Sequence, residues 1–291
     1  MEQEGGGGDL SKSAAVAACT AMAVFYVAIL YSPTLILRLP PPDSFKSFMI
    51  RRFFCATISS IVSLVVCFLI LPIRMWNVSI LLGVYGIRLD HIWQALALPI
   101  LLTSLMYSGS FTLKLLSILN NGENLSVVYI KSFFPKIADS VVSTISSVTS
   151  WRNYVVAPVT EELVFRACMI PLLLCGGFST YTVIFLSPIF FSLAHLNHLM
   201  ELCLQKNCSL LKACQVVGFQ LGYTVIFGAY ASFLFVRTGH LAAPLIAHIF
   251  CNFMGLPVIF SRRSGDSKCC ICSWDVEFFL DASPIVEPAL V

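Results

Sequence analysis

Residues 167–200 read ACMIPLLLCGGFSTYTVIFLSPIFFSLAHLNHLM, thirty-four positions without one Asp, Glu, Lys or Arg. A helix crosses the roughly 30 Å of bilayer hydrocarbon with about 20 mostly apolar residues. Together with the apolar residues before Ala167, this stretch is therefore long enough for two crossings. Gly176-Gly177 in its middle supplies the turn between them. The spacing predicts one helix over Tyr154–Cys175 and another over Ser179–Met200.

Working outward, Ala14–Leu37, Phe53–Ile73, His91–Leu113, Ala213–Val236 and Thr238–Ser261 are further apolar runs of spanning length. The expected fold is all-α: a polytopic transmembrane helix bundle of about seven spans over 14–260, between polar tails at 1–13 and 261–291. Composition agrees. Of 291 residues, 58% are hydrophobic and only 11% charged, with a mean hydropathy of +0.86. A soluble domain carries about 25% charged residues, so a water-soluble fold is excluded, the partner implied is the lipid bilayer, and no nucleic-acid partner is implied. The first thirteen residues lack a basic region, so the first apolar run is expected to be a retained span rather than a cleaved signal.

The twelve Cys are scattered singly except for Cys269, Cys270 and Cys272, and no pair has the spacing of a metal site or a disulfide framework. The sequons at Asn77, Asn124 and Asn207 are weak signals, because only Asn77 falls on the predicted lumenal side and it lies close to the bilayer. Orientation follows from the basic residues, which accumulate in cytosolic loops. With the N-terminus lumenal, the cytosolic segments hold Arg38, Lys46, Arg51, Arg52, Lys114, Lys131, Lys136, Arg152, Lys206, Lys212, Arg262, Arg263 and Lys268. Lys12, Arg74, Arg88 and Arg237 then face the lumen. A multi-pass protein of the endoplasmic reticulum membrane is the expectation.

An ionisable side chain at the centre of a membrane helix costs at least about 2.5–3.5 kcal/mol on insertion scales, so each one is a functional candidate. Here they are Glu161, Glu162 and Arg166 on the fourth span, His195 and His198 near the end of the fifth, and His248 on the seventh, with Asn252 beside it. Glu162 and Arg166, at i and i+4, share a helix face and are expected to pair. Glu161, rotated about 100° from Glu162, points elsewhere. His248 and Asn252 are again i, i+4, and His195 and His198 i, i+3. Counted at about 1.5 Å per residue, Glu161 lies about two turns below the cytosolic end of its helix and His195 about one turn below that of the next. His248 is near the midplane and Asn252 a turn closer to the cytosol. One water-filled cavity open to the cytosol accommodates all four.

Such a cavity suits hydrolysis. A carboxylate and an imidazole can together deprotonate water, while a second His and an Asn amide can donate to the oxyanion of a tetrahedral intermediate. Its apolar wall suits a lipid-bearing substrate.

The string Glu161-Glu162-Leu163-Val164-Phe165-Arg166 matches an EExxxR motif, Phe191 to His195 an FxxxH motif, and His248 to Asn252 an HxxxN motif. In this order on successive helices, over Tyr154 to Phe260, they resemble the type II CAAX prenyl endopeptidases of the wider intramembrane glutamate protease family. The resemblance implies that Glu161 and His195 activate the attacking water and that His248 and Asn252 form the oxyanion hole. Glu162 and Arg166 would be supporting residues, with His198 either beside the site or merely interfacial. The implied substrates are farnesylated or geranylgeranylated CAAX proteins, which lose their last three residues. The sequence departs from the family pattern after the HxxxN helix, where 261–291 is polar and Phe278-Phe279-Leu280 is too short to span a membrane.

Other readings fit the same residues. Glu161, His195 and His248 could hold Zn²⁺ as a three-ligand catalytic site, although the helix-borne HExxH pattern is absent; no cofactor is otherwise implied. Chelator sensitivity separates these two. A transporter would use buried Glu and His as an ion path, but its polar groups usually recur in two matching halves, whereas here they all follow Tyr154. Structurally, Glu162 and Arg166 could simply glue helices, His248 and Asn252 could serve interhelical hydrogen bonding, and the chain could be an inactive scaffold.

Overall fold

A computed structural model describes residues 10–72, 78–112, 146–205 and 209–255. The tails at 1–9 and 256–291, with their Cys cluster, and the sequons Asn77, Asn124 and Asn207 lie outside these residues. Every regular element among the described residues is helical. Helix α1 (Lys12–Ala28) continues through a tight turn at Ile29–Tyr31 into Ser32–Leu35. α2 (Phe45–Ile70), the short α3 (Val78–Val84) and α4 (Ile92–Met106) follow. α5 covers residues 148–175 in several segments, and after it come α6 (Thr180–Ala194), α7 (Asn197–Gln205), α8 (Leu210–Thr238) and α9 (Ala242–Met254). Serine side chains open four of them: Ser11 accepts from the Ala14 amide, Ser44 from that of Ser47, Ser147 from that of Ser150 and Ser179 from that of Thr182. Each occupies one of the orphan donors at a helix start. The turn at Gly176-Gly177 is present, with Gly177 at φ +80°.

The described residues support the transmembrane helix bundle but do not confirm the expected number of seven spans. Among the described residues four helices are long and apolar enough to cross a membrane: Lys12–Leu35, Phe45–Ile70, Thr180–Leu199 and Leu210–Thr238. At about 1.5 Å per residue, α4 and α9 rise only about 22 and 20 Å within the described residues. The predicted ends of those two spans, Leu113 and Ser261, lie outside them. α5 is interrupted instead of continuous, as described below. The predicted fifth span, Ser179–Met200, corresponds to the crossing Thr180–Leu199, within which regular helix pauses after Ala194 and His195-Leu196 form a turn before α7.

The bundle has an apolar interior like that of a soluble protein, but its outer surface is apolar too. Large apolar side chains such as Phe54, Leu69, Tyr181, Phe185 and Ile226 point outward, as lipid demands. Helices meet instead through small residues: Ala15 and Cys19 of α1, and Ser59, Ser60, Ser63 and Cys67 of α2, are all buried. Small side chains let backbones approach closely where no hydrophobic drive exists between helices. The site-bearing helices are tied in similarly. The Leu241 amide at the head of α9 donates to the Gly86 carbonyl at 2.9 Å, which fixes where His248 enters the bundle.

α6 and α8 make the most extensive helix pair, and the reason is legible at Gly228. A methyl group there would meet Pro188 Cβ at 2.8 Å and Arg166 Nη2 at 3.4 Å. Both neighbours are rigidly held, so Gly228→Ala is expected to destabilise the bundle by about 1–3 kcal/mol through overpacking. Thermal unfolding in detergent measures this; an unchanged midpoint would show that the helices yield without cost.

Candidate active site

The helix carrying the two glutamates is irregular on both sides of them. Arg152–Val156 and Leu163–Cys168 are π-helical, and Ala157–Glu162 between them is α-helical. A π segment shifts the backbone hydrogen-bond register, and such bulges are frequent at functional sites. In a membrane the displaced carbonyls must find partners inside the protein. They do. The Ser187 hydroxyl donates to the Phe165 carbonyl at 3.0 Å, Ser60 to that of Thr160 at 3.3 Å and the Cys67 thiol to that of Cys168 at 3.5 Å. Three small polar side chains on α2 and α6 thus hold the irregular helix in place. Tyr26 on α1 adds a fourth tie through its hydroxyl, 3.0 Å from the Thr160 hydroxyl.

Irregularity aside, Glu161 and Glu162 diverge as their spacing predicts. The Glu162 side chain is fully buried, whereas that of Glu161 is 17% exposed. Glu162 Oε1 accepts from Arg166 Nη1 at 3.0 Å, the i, i+4 pair expected from the sequence. The same oxygen accepts from His248 Nδ1 at 2.7 Å, a contact no spacing argument could supply because it joins α5 to α9. The remaining face of the guanidinium lies over the Phe191 ring, 4.5 Å from its centroid, with Phe227 at 5.9 Å. Cation–π attraction and two aromatic walls therefore accompany the buried charge.

His248 links both glutamates. With Nδ1 donating to Glu162, its Nε2 lies 3.8 Å from Glu161 Oε2. Phe227 packs against the imidazole edge at 4.9 Å between centroids. His195 is fixed differently. Its Nδ1 is 2.9 Å from the Phe191 carbonyl, and because a carbonyl only accepts, Nδ1 carries the proton. The Nε2 lone pair is then the one available for proton transfer. Phe191 also stacks edge-on to His195 at 4.8 Å, so the first residue of FxxxH orients the last through both its ring and its carbonyl.

Two cavities meet at these groups. One of about 120 Å³ runs between α1, α2 and α5, and one of about 330 Å³ between α5, α8 and α9. Glu161 and His195 line both, as do His198 and Arg152. The larger is walled by Phe219, Tyr223 and Phe227 of α8 and includes His248 and Asn252. The arrangement therefore collects all of the candidate residues except Glu162 and Arg166, which sit behind the wall. Asn252 differs from expectation in one respect: its Nδ2 donates to the Asn153 backbone carbonyl at 2.8 Å. One amide hydrogen is thus spent on α5 and one remains for a ligand. Asn153, Phe227 and Arg152 were not singled out from sequence, and no motif or charge pattern marks the first two. A three-ligand Zn²⁺ site needs its ligands within about 2.0–2.2 Å of one point. Among the described residues no group of three His, Cys, Asp or Glu has that arrangement.

Residues 144–254, which hold every one of these groups, match the family model described as Rce1-like type II CAAX prenyl endopeptidase. Over 98% of its length the chain is 57% identical to a CAAX prenyl protease 2 of Arabidopsis thaliana, covering 93% of that protein. It is 39% identical to the human protein of that name over 62% of this chain and 52% of the relative. The Caenorhabditis elegans protein of the same name is 34% identical over 75% of this chain and 74% of the relative. No solved structure matches it significantly. With near-complete coverage of a relative at that identity, and the matched segment coinciding with the clustered Glu, His and Asn side chains, the chain belongs to the Rce1-like type II CAAX prenyl endopeptidase family.

Proposed function

We propose that this chain removes the C-terminal tripeptide from farnesylated or geranylgeranylated CAAX proteins, using water activated between Glu161 and His195. The observation that carries the reading is that these two side chains line the wall common to both cavities, with His195 tautomerically set to present Nε2. Water gives up a proton to this pair, and its oxygen attacks the scissile carbonyl carbon. The resulting oxyanion accepts from the second Asn252 amide hydrogen. His248 can donate to it only when Nε2 also carries a proton, because Nδ1 is committed to Glu162. Collapse of the intermediate breaks the C–N bond, and the stored proton passes to the leaving amine. Glu162 and Arg166 act through His248 by holding its ring, and His198, 5.9 Å from His195 between ring centroids, shapes the cavity floor.

The aromatic wall of the larger cavity suits an isoprenoid chain, since ligand sites are mostly apolar with a few placed polar groups. No metal is assigned a role in these steps. The excess of Lys and Arg in alternate loops supports a cavity opening to the cytosol, where prenylation leaves its products, and an endoplasmic reticulum location fits that orientation.

The test is release of the tripeptide from a farnesylated CAAX peptide by purified protein in detergent. In that assay Asn252→Ala is expected to lower kcat by about 10²–10³, the usual cost of one oxyanion donor. A raised KM with unchanged kcat would instead make Asn252 a substrate-binding group.

A further inference from the structure

Tyr26 on α1 is buried and lines the smaller cavity together with Glu161 and His195. Its hydroxyl is 3.0 Å from that of Thr160, the residue before Glu161 and 134 positions away in the chain. The direction of that bond follows from a count of protons. The Thr160 hydroxyl has one, and gives it to the backbone: Oγ1 lies 2.7 Å from the Val156 carbonyl and 3.3 Å from that of Ala157, and a carbonyl only accepts. Tyr26 is therefore the donor to Thr160. The bonds form a chain from Tyr26 through Thr160 to Val156, the residue that ends the first π segment. A Thr that bonds back to the carbonyl four residues earlier bends its helix, and a donor on its oxygen polarises and strengthens that bond. Here the bend falls directly ahead of Glu161.

The ring of Tyr26 leads to the other member of the pair. It packs edge-on against Phe165 at 5.6 Å, Phe165 against Phe191 at 5.2 Å and Phe191 against His195 at 4.8 Å, all between centroids. Resting on the endopeptidase reading above, we propose that Tyr26 is a positioning residue for tripeptide release: its hydroxyl aims Glu161 through Thr160, and its ring backs the aromatic stack that orients His195. Glu161 is on α5, whereas His195 follows the last turn of α6. A water shared between them is activated only if the two helices hold a fixed relation, because a displacement of about 1 Å at a reacting group costs about 10² in rate. α1 packs against both helices, and Tyr26 is the side chain on it that reaches each by a directed contact. Neither Tyr26 nor Thr160 belongs to the EExxxR, FxxxH or HxxxN motif.

The experiment measures kcat and KM on a farnesylated CAAX peptide for a set of full-length variants in detergent. Tyr26→Phe keeps the ring and removes the hydroxyl. It is expected to lower kcat by about three- to tenfold, the range for one neutral hydrogen bond, with KM unchanged. Thr160→Val removes the acceptor and is expected to lose at least as much, while Thr160→Ser, which keeps a hydroxyl, should retain wild-type kcat. Because the two side chains act as one chain of bonds, Tyr26→Phe/Thr160→Val is expected to be no slower than Thr160→Val alone. Tyr26→Leu removes the ring as well and should be about three- to tenfold slower than Tyr26→Phe, the range for one aromatic pair. Wild-type kcat in Tyr26→Phe overturns the inference and leaves the proteolytic reading intact; a lowered melting temperature beside that kcat would mark the tie as structural. Losses that multiply in the double variant overturn it too, since Tyr26 would then not act through Thr160, and a Tyr26→Leu no slower than Tyr26→Phe removes the part given to the ring. If Thr160→Val fails to fold, the kcat of Tyr26→Phe, whose packing is kept, decides alone. Absence of tripeptide release by wild type overturns both readings.

Discussion

Glu161→Ala will release tripeptide at least about 10²- to 10⁴-fold more slowly than wild type while leaving the protein inserted, abundant and as heat-stable as before. The size follows from losing a positioned general base. The preserved stability follows from where Glu161 sits. Its side chain is partly exposed to the two cavities and its contact with His248 is a loose 3.8 Å, so removing it opens space beside a cavity instead of stranding a buried partner. His195→Ala is expected to behave in the same way, because its one directed hydrogen bond is to the Phe191 carbonyl of its own helix. Expression and melting temperature are measured beside the rate. Normal turnover in Glu161→Ala would remove the central residue from the proposed chemistry, and loss of folding would mean its role is structural.

Much of this site was legible in the sequence because membranes make polar residues conspicuous. A carboxylate in a charge-free run is a signal that a soluble protein does not offer, and helical periodicity then settles which neighbours share a face. Glu162 with Arg166, the divergence of Glu161, and the turn at Gly176-Gly177 all follow from local geometry, and all are found. Contacts between helices were not legible. The bond from His248 to Glu162 joins residues 86 positions apart, and the tie from Asn252 to Asn153 joins residues 99 apart. Neither leaves a periodic trace. The break in helical register was not legible for a related physical reason: hydropathy reports which residues tolerate lipid, and says nothing about whether the backbone stays in one α-helical register. In α5 it does not, and the π-helical segments there depend on hydroxyl and thiol donors from α2 and α6. Read singly, Ser60, Cys67 and Ser187 are ordinary small residues in apolar helices.

The buried cluster behind the cavity yields the largest expected change in stability. Arg166→Met should destabilise the bundle by about 3–5 kcal/mol, because it leaves the Glu162 carboxylate enclosed with its cation gone. The side chains are 1% and 0% exposed respectively, so water cannot take over. Replacing both residues is a different matter. Apolar groups of similar volume often match or exceed a buried ion pair in stability, and the site is already walled by Phe191 and Phe227. The double variant Glu162→Leu/Arg166→Met is therefore expected to recover most of the lost melting temperature. It should nevertheless remain at least about 10²-fold impaired in cleavage, since His248 loses the acceptor that orients its Nδ1 and a displacement of about 1 Å at a reacting group costs that much. Recovered stability with persistent loss of activity would separate the two tasks of the cluster, neutralising a buried charge and aiming a histidine. A double variant as unstable as the single one would show that the pair is not what makes Arg166→Met costly, and a fully active one would show that His248 finds its orientation without Glu162.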